Sequence, residues 1–271
     1  MTASDSTSHY ALGSTDAEQE RLIRQARWLA PHTERCFREA GIGTGQRVLD
    51  LGSGVGDVSL LAARLVGPSG EVVGVERDPR SIARASARVA EAGLRNVSFT
   101  QSDVSQIPRD KTFDAAVGRY ILMFVPDPVA VLRSLSELVR PGGAVAFQEP
   151  SWGSFLDHAA RLPLWSAAAS LIVKTFQRAG TNTEIGPLLS QVFQDAGLPA
   201  PSMRTELLVG AEEWLPDVLQ SLHAQMRQLN FDLGPLGDFD TLSQRLRAEI
   251  AAKAQTPLPS LVSAWSLKPV S

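Results

Sequence analysis

Apolar residues alternate between two spacings from residue 45 to residue 147. Runs of about five mostly apolar residues are typical of buried strands, and the stretches between them carry apolar residues at helical spacing. The predicted strands cover 47–51, 71–75, 97–101, 113–117 and 141–147, and the predicted helices cover 57–66, 79–92 and 128–139. Alternation of this kind predicts an α/β fold with a parallel sheet, helices on both faces and right-handed crossovers.

The pattern before residue 45 is helical. Thr15 and Glu18 have the spacing of an N-terminal capping box, which predicts a helix over 16–30. Pro31 is expected to close that helix, and a second, shorter helix is predicted over 32–40.

After Pro150 the pattern is mostly helical, with two further strands. Helices are predicted over 159–178, 185–196, 211–230 and 238–254, and strands over 203–209 and 261–267. Two helical segments, about 151–185 and 211–258, are not needed to complete a sheet. They are enriched in Leu, Phe, Trp and Met, a composition that suits the wall of an apolar pocket.

The turn between the first predicted strand and its helix is rich in glycine. Gly52, Gly54 and Gly56 allow backbone conformations closed to other residues and let a ligand approach the main chain. The helix that starts near Gly56 would point unpaired N–H groups at that ligand. The turn, with Asp50 before it and Ser53 within it, is therefore predicted to be a ligand cradle.

Spacing separates two ligand classes that use such a turn. A dinucleotide fingerprint needs a third glycine at position 57, where this sequence has Asp57. A carboxylate at the start of the helix would repel a pyrophosphate. NAD and flavin dinucleotides are therefore disfavoured, and an NAD-dependent dehydrogenase is the weaker alternative.

Acidic residues follow the next two strands. Glu76 ends the second strand about twenty residues beyond the last glycine, where a carboxylate can accept hydrogen bonds from both hydroxyls of a ribose. Asp103 follows the third strand. Because the carboxyl ends of parallel strands share one edge of the sheet, Glu76, Asp103 and Arg119 are expected to border one continuous site.

The sequence D-L-G-S-G-V-G at residues 50–56 resembles the first motif of class I S-adenosylmethionine (SAM)-dependent methyltransferases. Glu76, the segments 102–104 and 113–117, and the turn into 141–147 resemble the later motifs of that family, in order. The resemblance implies a Rossmann-like, doubly wound seven-stranded sheet whose last strand lies antiparallel between the fifth and sixth. It also implies an N-terminal helical lid and helical cap inserts.

The resemblance further implies contacts to SAM, which carries an amino acid and a sulfonium but no phosphate. Asp103 would take the adenine amino group, and the backbone N–H of Val104 would reach the ring. Asp50 would hold the ammonium group or, equally, tie down the glycine turn. Arg119 would line the methionine end, and Arg77 would flank the adenosine or be solvated.

Residues 1–44 correspond to a segment that folds over the cofactor as a lid in many small-molecule methyltransferases. Tyr10, before the first helix, and Gln25, on its polar side, are candidate contacts to SAM. The alternatives are that Tyr10 packs its ring and that Gln25 is solvated. The segments 151–185 and 211–258 are expected to cap the acceptor site.

A general base is needed only if the acceptor arrives protonated, because the cofactor supplies the activated methyl group. The candidate catalytic residues are His158 and His223, in the cap segments, and Glu149, at the end of the fifth strand. A histidine on a helix can equally be packed or solvated.

Charge and composition limit the classes of partner and substrate that this chain is expected to bind. The 271-residue sequence has a formal net charge of −3 and no block of like charges, which argues against a nucleic-acid surface. The N-P-P-type signature for methylation of amide or base nitrogens is absent after the fourth strand, where residues 118–121 are Gly-Arg-Tyr-Ile. Cys36 is the single cysteine, so an internal disulfide is excluded and cysteine-based arsenic methylation is disfavoured.

One domain over 1–271 is expected, with a lid over 1–44, a SAM-binding core over 45–150, and the remaining strands and cap helices over 151–271. Met1–Ser8 does not resemble a secretory signal, and no apolar run is long enough to span a bilayer. A soluble, cytoplasmic monomer or homodimer without a metal site is expected.

The sequence therefore supports one main hypothesis, a SAM-dependent methyltransferase that acts on a small-molecule substrate. It resembles the branch that includes ubiquinone/menaquinone-type and secondary-metabolite enzymes. Oxygen is the expected acceptor atom, with carbon or nitrogen as alternatives. A SAM-binding protein without transfer activity is the rival of a different class, because it would share every cofactor motif.

Overall fold

The fold is a seven-stranded sheet with helices on both sides, in a computed structural model that describes residues 15–103, 106–107, 112–210, 212–251 and 258–270. The strands are β1 (Arg47–Leu51), β2 (Glu71–Glu76), β3 (Val97–Gln101), β4 (Phe113–Arg119), β5 (Val139–Ser151), β6 (Ser202–Glu206) and β7 (Ser260–Leu267). The helices are α1 (Asp16–Glu39), α2 (Asp57–Val66), α3 (Pro79–Glu91), α4 (Pro128–Leu138), α5 (Gly153–Ala159), α6 (Pro163–Arg178), α7 (Ile185–Asp195), α8 (Trp214–Gln228) and α9 (Leu242–Ala251).

The strand order is β3-β2-β1-β4-β5-β7-β6. Neighbouring strands are parallel except at β7, which runs antiparallel to both β5 and β6. The predicted Rossmann-like α/β sheet and the position of its last strand are therefore confirmed. In the central strand β1, Val48 and Leu49 are fully buried because helices cover both faces of the sheet.

The largest differences between the predicted and observed strand boundaries are in β5 and β6. β5 is longer than predicted and begins at Val139. β6 is shorter and ends at Glu206, which is also the last residue of β6 that pairs with β7, opposite Leu261. Beyond Glu206 the regular pairing with β7 ends, although the carbonyl of Leu208 still accepts the N–H of Leu258 at 2.7 Å.

Helix α1, in the segment predicted to be a lid and called the lid below, is continuous, so the predicted break at Pro31 is wrong. Proline removes one backbone hydrogen bond from a helix interior. Packing on both sides of Pro31 outweighs that loss, since Leu29 and Phe37 are 2% and 0% exposed. The hydroxyl of Thr33 also donates to the carbonyl of Leu29 at 3.0 Å, which adds a bond within the same turn.

The helix predicted over 159–178 starts later, as α6, and the helix before it, α5, was not predicted. α5 ends at Ala159, and α6 begins at Pro163, whose missing N–H is tolerated in the first turn of a helix. Together with α8, α9 and Leu29 of the lid, they bury an apolar cluster that includes the fully buried Trp165. α7 packs instead on β5 and β7. No helix in the described part of the chain is long and apolar enough to cross a membrane.

Candidate cofactor and acceptor site

A cavity of about 970 Å³ lies at the carboxyl ends of β1 to β4. Residues that follow these strands form one side, and α1 with the cap helices α6 and α8 forms the other. The predicted site residues that line it are Gln25, Gly52, Ser53, Gly54, Glu76, Arg77, Asp103 and Arg119. Tyr10 and Val104 lie outside the described residues. The parallel sheet thus brings most of the predicted cofactor contacts to one edge.

Glycine is required at two positions of the turn after β1, for different reasons. Gly52 has a φ of +66°, and a β-carbon there would lie 2.6 Å from Cδ1 of Ile121. Gly54 has a φ of +51°, and a β-carbon there would meet no atom within 4 Å, so it borders open space. The N–H groups of Gly52 and Ser53 donate to the carbonyl of Val75 at 2.8 and 3.0 Å. A ligand can therefore approach a main chain that is already held in place.

Gly56 caps α2 and is not among the described residues that line the cavity. A β-carbon at this position would lie 3.1 Å from Cβ of Ala85 on α3 and 3.3 Å from Cζ of Phe99 on β3. The missing side chain lets the start of α2 pack closely against its neighbours. The geometry gives Gly56 a packing role, and its contact to the cofactor stays a prediction.

Glu76, at the end of β2, stabilises the glycine turn through hydrogen bonds to the backbone. Its Oε2 accepts the N–H of Gly54 at 2.9 Å, and its Oε1 accepts the N–H groups of Arg77 and Asp78 at 2.7 and 3.0 Å. The side chain is half-buried and lines the cavity. A carboxylate fixed by three backbone donors is in place to accept further hydrogen bonds from a ligand hydroxyl.

Arg77 and Asp103 border the exposed end of the cavity. The guanidinium Nη1 of Arg77 lies 4.0 Å from Oδ2 of Asp103, and the two side chains are 57% and 47% exposed. Both residues follow neighbouring strands, β2 and β3, and so reach the same edge of the sheet.

Asp50 is 1% exposed and is not among the described residues that line the cavity. Its Oδ2 accepts the hydroxyl of Ser59 on α2 at 2.5 Å. Burial raises the pKa of Asp50 to about 7, against the opposing effects of Ser59 and of the charge on Arg119. This geometry favours the structural alternative, in which Asp50 ties β1 to the helix that follows the turn.

Arg119 connects the lid to the end of β4. Its Nη1 donates to the hydroxyl of Thr33 on α1 at 2.9 Å, and the residue lines the cavity. Burial lowers the pKa of this guanidinium, while the carboxylates of Asp57 and Asp50 oppose that shift. A cation here is available to an anionic group of a ligand.

The charges around the turn fit SAM better than a dinucleotide. Asp57, the first residue of α2, lines the cavity and pairs with Arg88 at 2.8 Å. A pyrophosphate at this helix start would meet the carboxylates of Asp57 and Glu76. SAM offers ribose hydroxyls, an ammonium and a sulfonium to the same groups, and its carboxylate can face Arg119.

The cap side of the cavity is aromatic, with Phe124, Trp152, Phe176 and Trp214 in its wall. Trp152 is 3% exposed. Its ring centroid lies 5.6 Å from that of Phe176 and 5.4 Å from that of Trp214. Edge-to-face and tilted packing of this kind holds each ring in one orientation. The cavity therefore combines a polar, glycine-bordered side with a preformed aromatic side.

A family profile described as a methyltransferase domain matches residues 42–196, which is more than half of the chain. The chain belongs to this methyltransferase family. The match runs from before β1 to the end of α7 and so includes the glycine turn and Glu76. The predicted membership among class I SAM-dependent methyltransferases is confirmed, with SAM as the family's cofactor.

Curated relatives match a part of this methyltransferase. An arsenite methyltransferase of Halobacterium salinarum is 34% identical over 111 residues, which are 41% of this chain and 28% of the relative. The aklanonic acid methyltransferase DauC of Streptomyces sp. (strain C5) is 38% identical over 109 residues, 40% of this chain and 49% of the relative. The ubiquinone/menaquinone biosynthesis C-methyltransferase UbiE of Cellvibrio japonicus is 35% identical over 112 residues, 41% of this chain and 45% of the relative. The chain thus spans at most about half the length of these three relatives.

Solved structures share the fold of this methyltransferase at low sequence identity. The YcgJ protein from Bacillus subtilis has a TM-score of 0.60 and 17% identity, over 89% of this chain and 99% of YcgJ. Phosphoethanolamine N-methyltransferase 2 of Haemonchus contortus, in complex with SAM, has a TM-score of 0.52 and 16% identity, over 88% of this chain and 52% of that chain. The [4+2]-cyclase SpnF has a TM-score of 0.51 and 18% identity, over 89% and 82%.

The three candidate bases of this methyltransferase are not among the described residues of the cavity wall. His158 is exposed on α5, and His223 stacks on Phe239 with ring centroids 3.8 Å apart. Glu149 is fully buried, and its carboxylate accepts three N–H groups of residues 121–123 at 2.7 to 3.3 Å. Burial raises the pKa of Glu149 to about 8, against those hydrogen bonds. Glu149 therefore shapes the turn after β4.

A buried polar network between lid and cap is missing from the sequence predictions. Glu18 and Arg21 are 1% and 4% exposed and pair at 2.7 Å. The hydroxyl of Ser221 on α8 donates to Glu18 at 2.6 Å, and the Oε1 of Gln25 accepts from Arg21 and Trp214 at 2.6 and 3.2 Å. The lid and cap partners are 189 to 203 residues apart, so no local pattern in the sequence could have paired them.

Proposed function

We propose that this methyltransferase moves a methyl group from SAM to a small-molecule acceptor, and that the acceptor atom is an oxygen of a secondary metabolite or quinone-like compound. The observation that carries the proposal is a single cavity that joins the glycine turn and Glu76 to an aromatic wall. The turn and carboxylate suit the cofactor, and the aromatic wall suits a mostly apolar acceptor.

The cofactor would lie along the carboxyl ends of β1 to β3. Glu76 would hold the ribose hydroxyls and Asp103 the adenine amino group, as the family resemblance implies. The main chain at Gly52–Gly54 and the guanidinium of Arg119 would hold the methionine part. When bound, SAM supplies an electrophilic methyl group on its sulfonium.

The chain's own contribution to the reaction is orientation and exclusion of water. Trp152, Phe176 and Trp214 form a rigid wall against which a flat acceptor can lie. Holding two reactants in line can supply roughly 7–11 kcal/mol of a barrier. The ordered aromatic wall would therefore contribute to the rate by fixing the orientation of the acceptor.

Proton removal places a limit on the acceptor. No histidine is among the described residues that line the cavity, and the carboxylate of Glu18 on α1 is already paired with Arg21. An acceptor that ionises by itself near neutral pH, such as an acidic phenol or an enol, suits such a wall. The rate would then follow the ionisation of the acceptor.

Carbon is the second candidate atom, because the relative from Cellvibrio japonicus is named as a C-methyltransferase. Nitrogen is the third. Arsenic, as in the name of the relative from Halobacterium salinarum, is disfavoured. Cys36 is buried outside the described cavity wall, and burial raises the pKa of its thiol to about 12, so it is not available as a thiolate ligand.

A SAM-binding protein without transfer activity is the candidate from another class. The cyclase among the similar structures is named for an activity other than methyl transfer, so the fold alone does not decide. The aromatic side of the cavity favours an enzyme, since a protein that only binds the cofactor needs no acceptor space.

Calorimetric titration with SAM and with S-adenosylhomocysteine tests the proposal. We expect micromolar binding of both, and a loss of about tenfold or more in Glu76→Gln, because a charge-assisted hydrogen bond to the ribose is weakened. Glu91→Gln, exposed on α3 and outside the described cavity wall, is the matched control and should bind as the parent does. Failure of the parent protein to bind either compound would overturn the proposed function. Unchanged affinity in Glu76→Gln would overturn the placement of the cofactor.

If the parent protein binds both compounds, mass spectrometry of a co-purified small molecule would identify an acceptor.

A further inference from the structure

The amide of Gln25, in the middle of α1, is held in one orientation. Its Oε1 accepts hydrogen bonds from Nη1 of Arg21 at 2.6 Å and from Nε1 of Trp214 at 3.2 Å. Arginine and tryptophan side chains can only donate, so the oxygen of the amide must face both of them. The NH₂ group is thereby turned away from the network. No described residue accepts a hydrogen bond from it, and Gln25 lines the cavity.

The partners of Gln25 are themselves immobilised. Arg21 forms two hydrogen bonds of 2.7 Å to the carboxylate of Glu18, and Ser221 donates to the same carboxylate. The ring of Trp214 packs on Trp152 at a centroid distance of 5.4 Å. Because buried groups fix this amide from two sides, it loses little conformational entropy when its remaining N–H groups bind a ligand.

The surroundings of Gln25 indicate that its NH₂ group contacts the acceptor and not the cofactor. Trp214 belongs to the aromatic cap side of the cavity, whereas the described partners of Glu76 lie on the glycine turn and the end of β2. We propose that Gln25 is a specificity-determining residue whose NH₂ group donates to an oxygen of a flat, mostly apolar acceptor. This inference rests on the proposed function and replaces the expected contact between Gln25 and SAM.

A matched pair of probes tests the inference. 9-Fluorenone and fluorene have the same flat ring system, and only fluorenone carries a carbonyl oxygen. In equilibrium dialysis with S-adenosylhomocysteine present, we expect the protein to bind fluorenone about tenfold more tightly than fluorene, as one hydrogen bond from a preorganised donor provides. Gln25→Met, of similar size but without a donor, should reduce that preference to about twofold or less and leave fluorene binding unchanged. Gln225→Met, on α8 outside the described cavity wall, is the control and should keep the full preference.

A second variant covers the case in which Gln25→Met does not fold. Trp214→Phe keeps an aromatic ring but removes one of the two donors that fix the amide oxygen. The amide can then turn, and the preference for fluorenone over fluorene should fall by about threefold.

The inference would be overturned if the parent protein showed no preference for fluorenone, or if Gln25→Met retained that preference. A loss of S-adenosylhomocysteine affinity of about tenfold in Gln25→Met would also overturn it, because that loss would assign Gln25 to the cofactor. If the parent protein binds no S-adenosylhomocysteine, the proposed function is wrong. The preference for fluorenone over fluorene, measured in the absence of S-adenosylhomocysteine, then decides whether Gln25 donates to an acceptor oxygen.

Discussion

At the scale of single residues, the two glycines at the cavity edge differ in what surrounds them. Alanine at either position would adopt a positive φ at a cost of about 1–2 kcal/mol. At Gly52 the new carbon would also collide with Ile121, which adds about 1–3 kcal/mol. We therefore expect Gly52→Ala to lower the free energy of unfolding more than Gly54→Ala in urea denaturation.

Gly54→Ala should weaken ligand binding strongly, although it should lower the free energy of unfolding less than Gly52→Ala does. The β-carbon of Gly54→Ala enters open space beside the main chain, where the cofactor is proposed to lie. Calorimetry should show a loss of about tenfold or more in affinity for S-adenosylhomocysteine at a small cost in stability. Parent-like affinity in Gly54→Ala would mean that the cofactor does not approach the turn.

His158 offers a test of the acid–base chemistry. A general base contributes roughly 10²–10⁴-fold to a rate. Because the imidazole is exposed on α5 and outside the described cavity wall, His158→Gln should change kcat by about twofold or less with an acceptor identified from the co-purified ligand. A hundredfold loss, with an unchanged melting temperature, would restore His158 as the base.

Site residues that follow strands could be predicted from the sequence, and those fixed by distant contacts could not. Glu76 was predictable because the parallel sheet determines where the end of β2 lies once the strands are recognised. The role of Gln25 depends on Trp214, 189 residues away. The histidines were chosen for their chemistry alone, and nothing in the local sequence indicates which side of a cap helix faces a cavity.

At the scale of elements, the continuity of α1 through Pro31 leads to a stability prediction. An interior proline removes a hydrogen bond and strains the preceding turn, although it also restricts the unfolded chain. We expect Pro31→Ala to raise the free energy of unfolding by about 2 kcal/mol. Pro163→Ala is the matched control and should give no such gain, because Pro163 is the first residue of α6, where no N–H is needed. An equal gain in both variants would contradict this account of α1.

The strands were easier to predict than the helix boundaries. Buried parallel strands such as β1 form short apolar runs with few alternative interpretations. All seven strands were found, including the more exposed β3 and β6 and the antiparallel β7. The helix α5 was not predicted, and the start of α6 was placed at residue 159, although Pro163 is a recognised signal for a helix start. The continuation of α1 past Pro31 could not be predicted locally, because it depends on the burial of Phe37 against the sheet side of the fold.

At the scale of the whole molecule, two buried carboxyl groups make stability depend on pH. Burial raises the pKa of Asp50 from 3.8 to about 7 and that of Glu149 from 4.5 to about 8. Between about pH 4 and pH 8 the folded state therefore holds protons that the unfolded state has lost. Their stabilising contribution is complete below about pH 4 and is lost as the pH rises through 7 and 8. Urea denaturation at pH 5, 6.5 and 8 should show a steady decrease in the free energy of unfolding.

Asp50→Asn separates one of the two contributions. Asparagine keeps an oxygen that can accept the hydroxyl of Ser59 but cannot ionise. The decrease in stability between pH 5 and pH 8 should become smaller in this variant. The pKa of Asp114 is shifted in the opposite direction: burial raises it, but the N–H of Arg47 and the guanidinium of Arg140 together outweigh burial and lower it. Because Asp114 is ionised in both the folded and the unfolded state above about pH 5, it does not add to the slope there. A slope identical to that of the parent would show that Asp50 does not titrate in this range.

The place of β7 in the sheet has a consequence for synthesis on the ribosome. β7 lies between β5 and β6, although it is translated after both. Until it emerges, β6 has no neighbour in the described sheet, and Leu258 and Pro259, which line the cavity, are not yet present. A nascent chain that ends before β7 therefore exposes unpaired strand edges and has an incomplete binding site. The sheet can therefore close, and a bound ligand can stabilise the complete cavity, once β7 has been synthesised as far as Leu267.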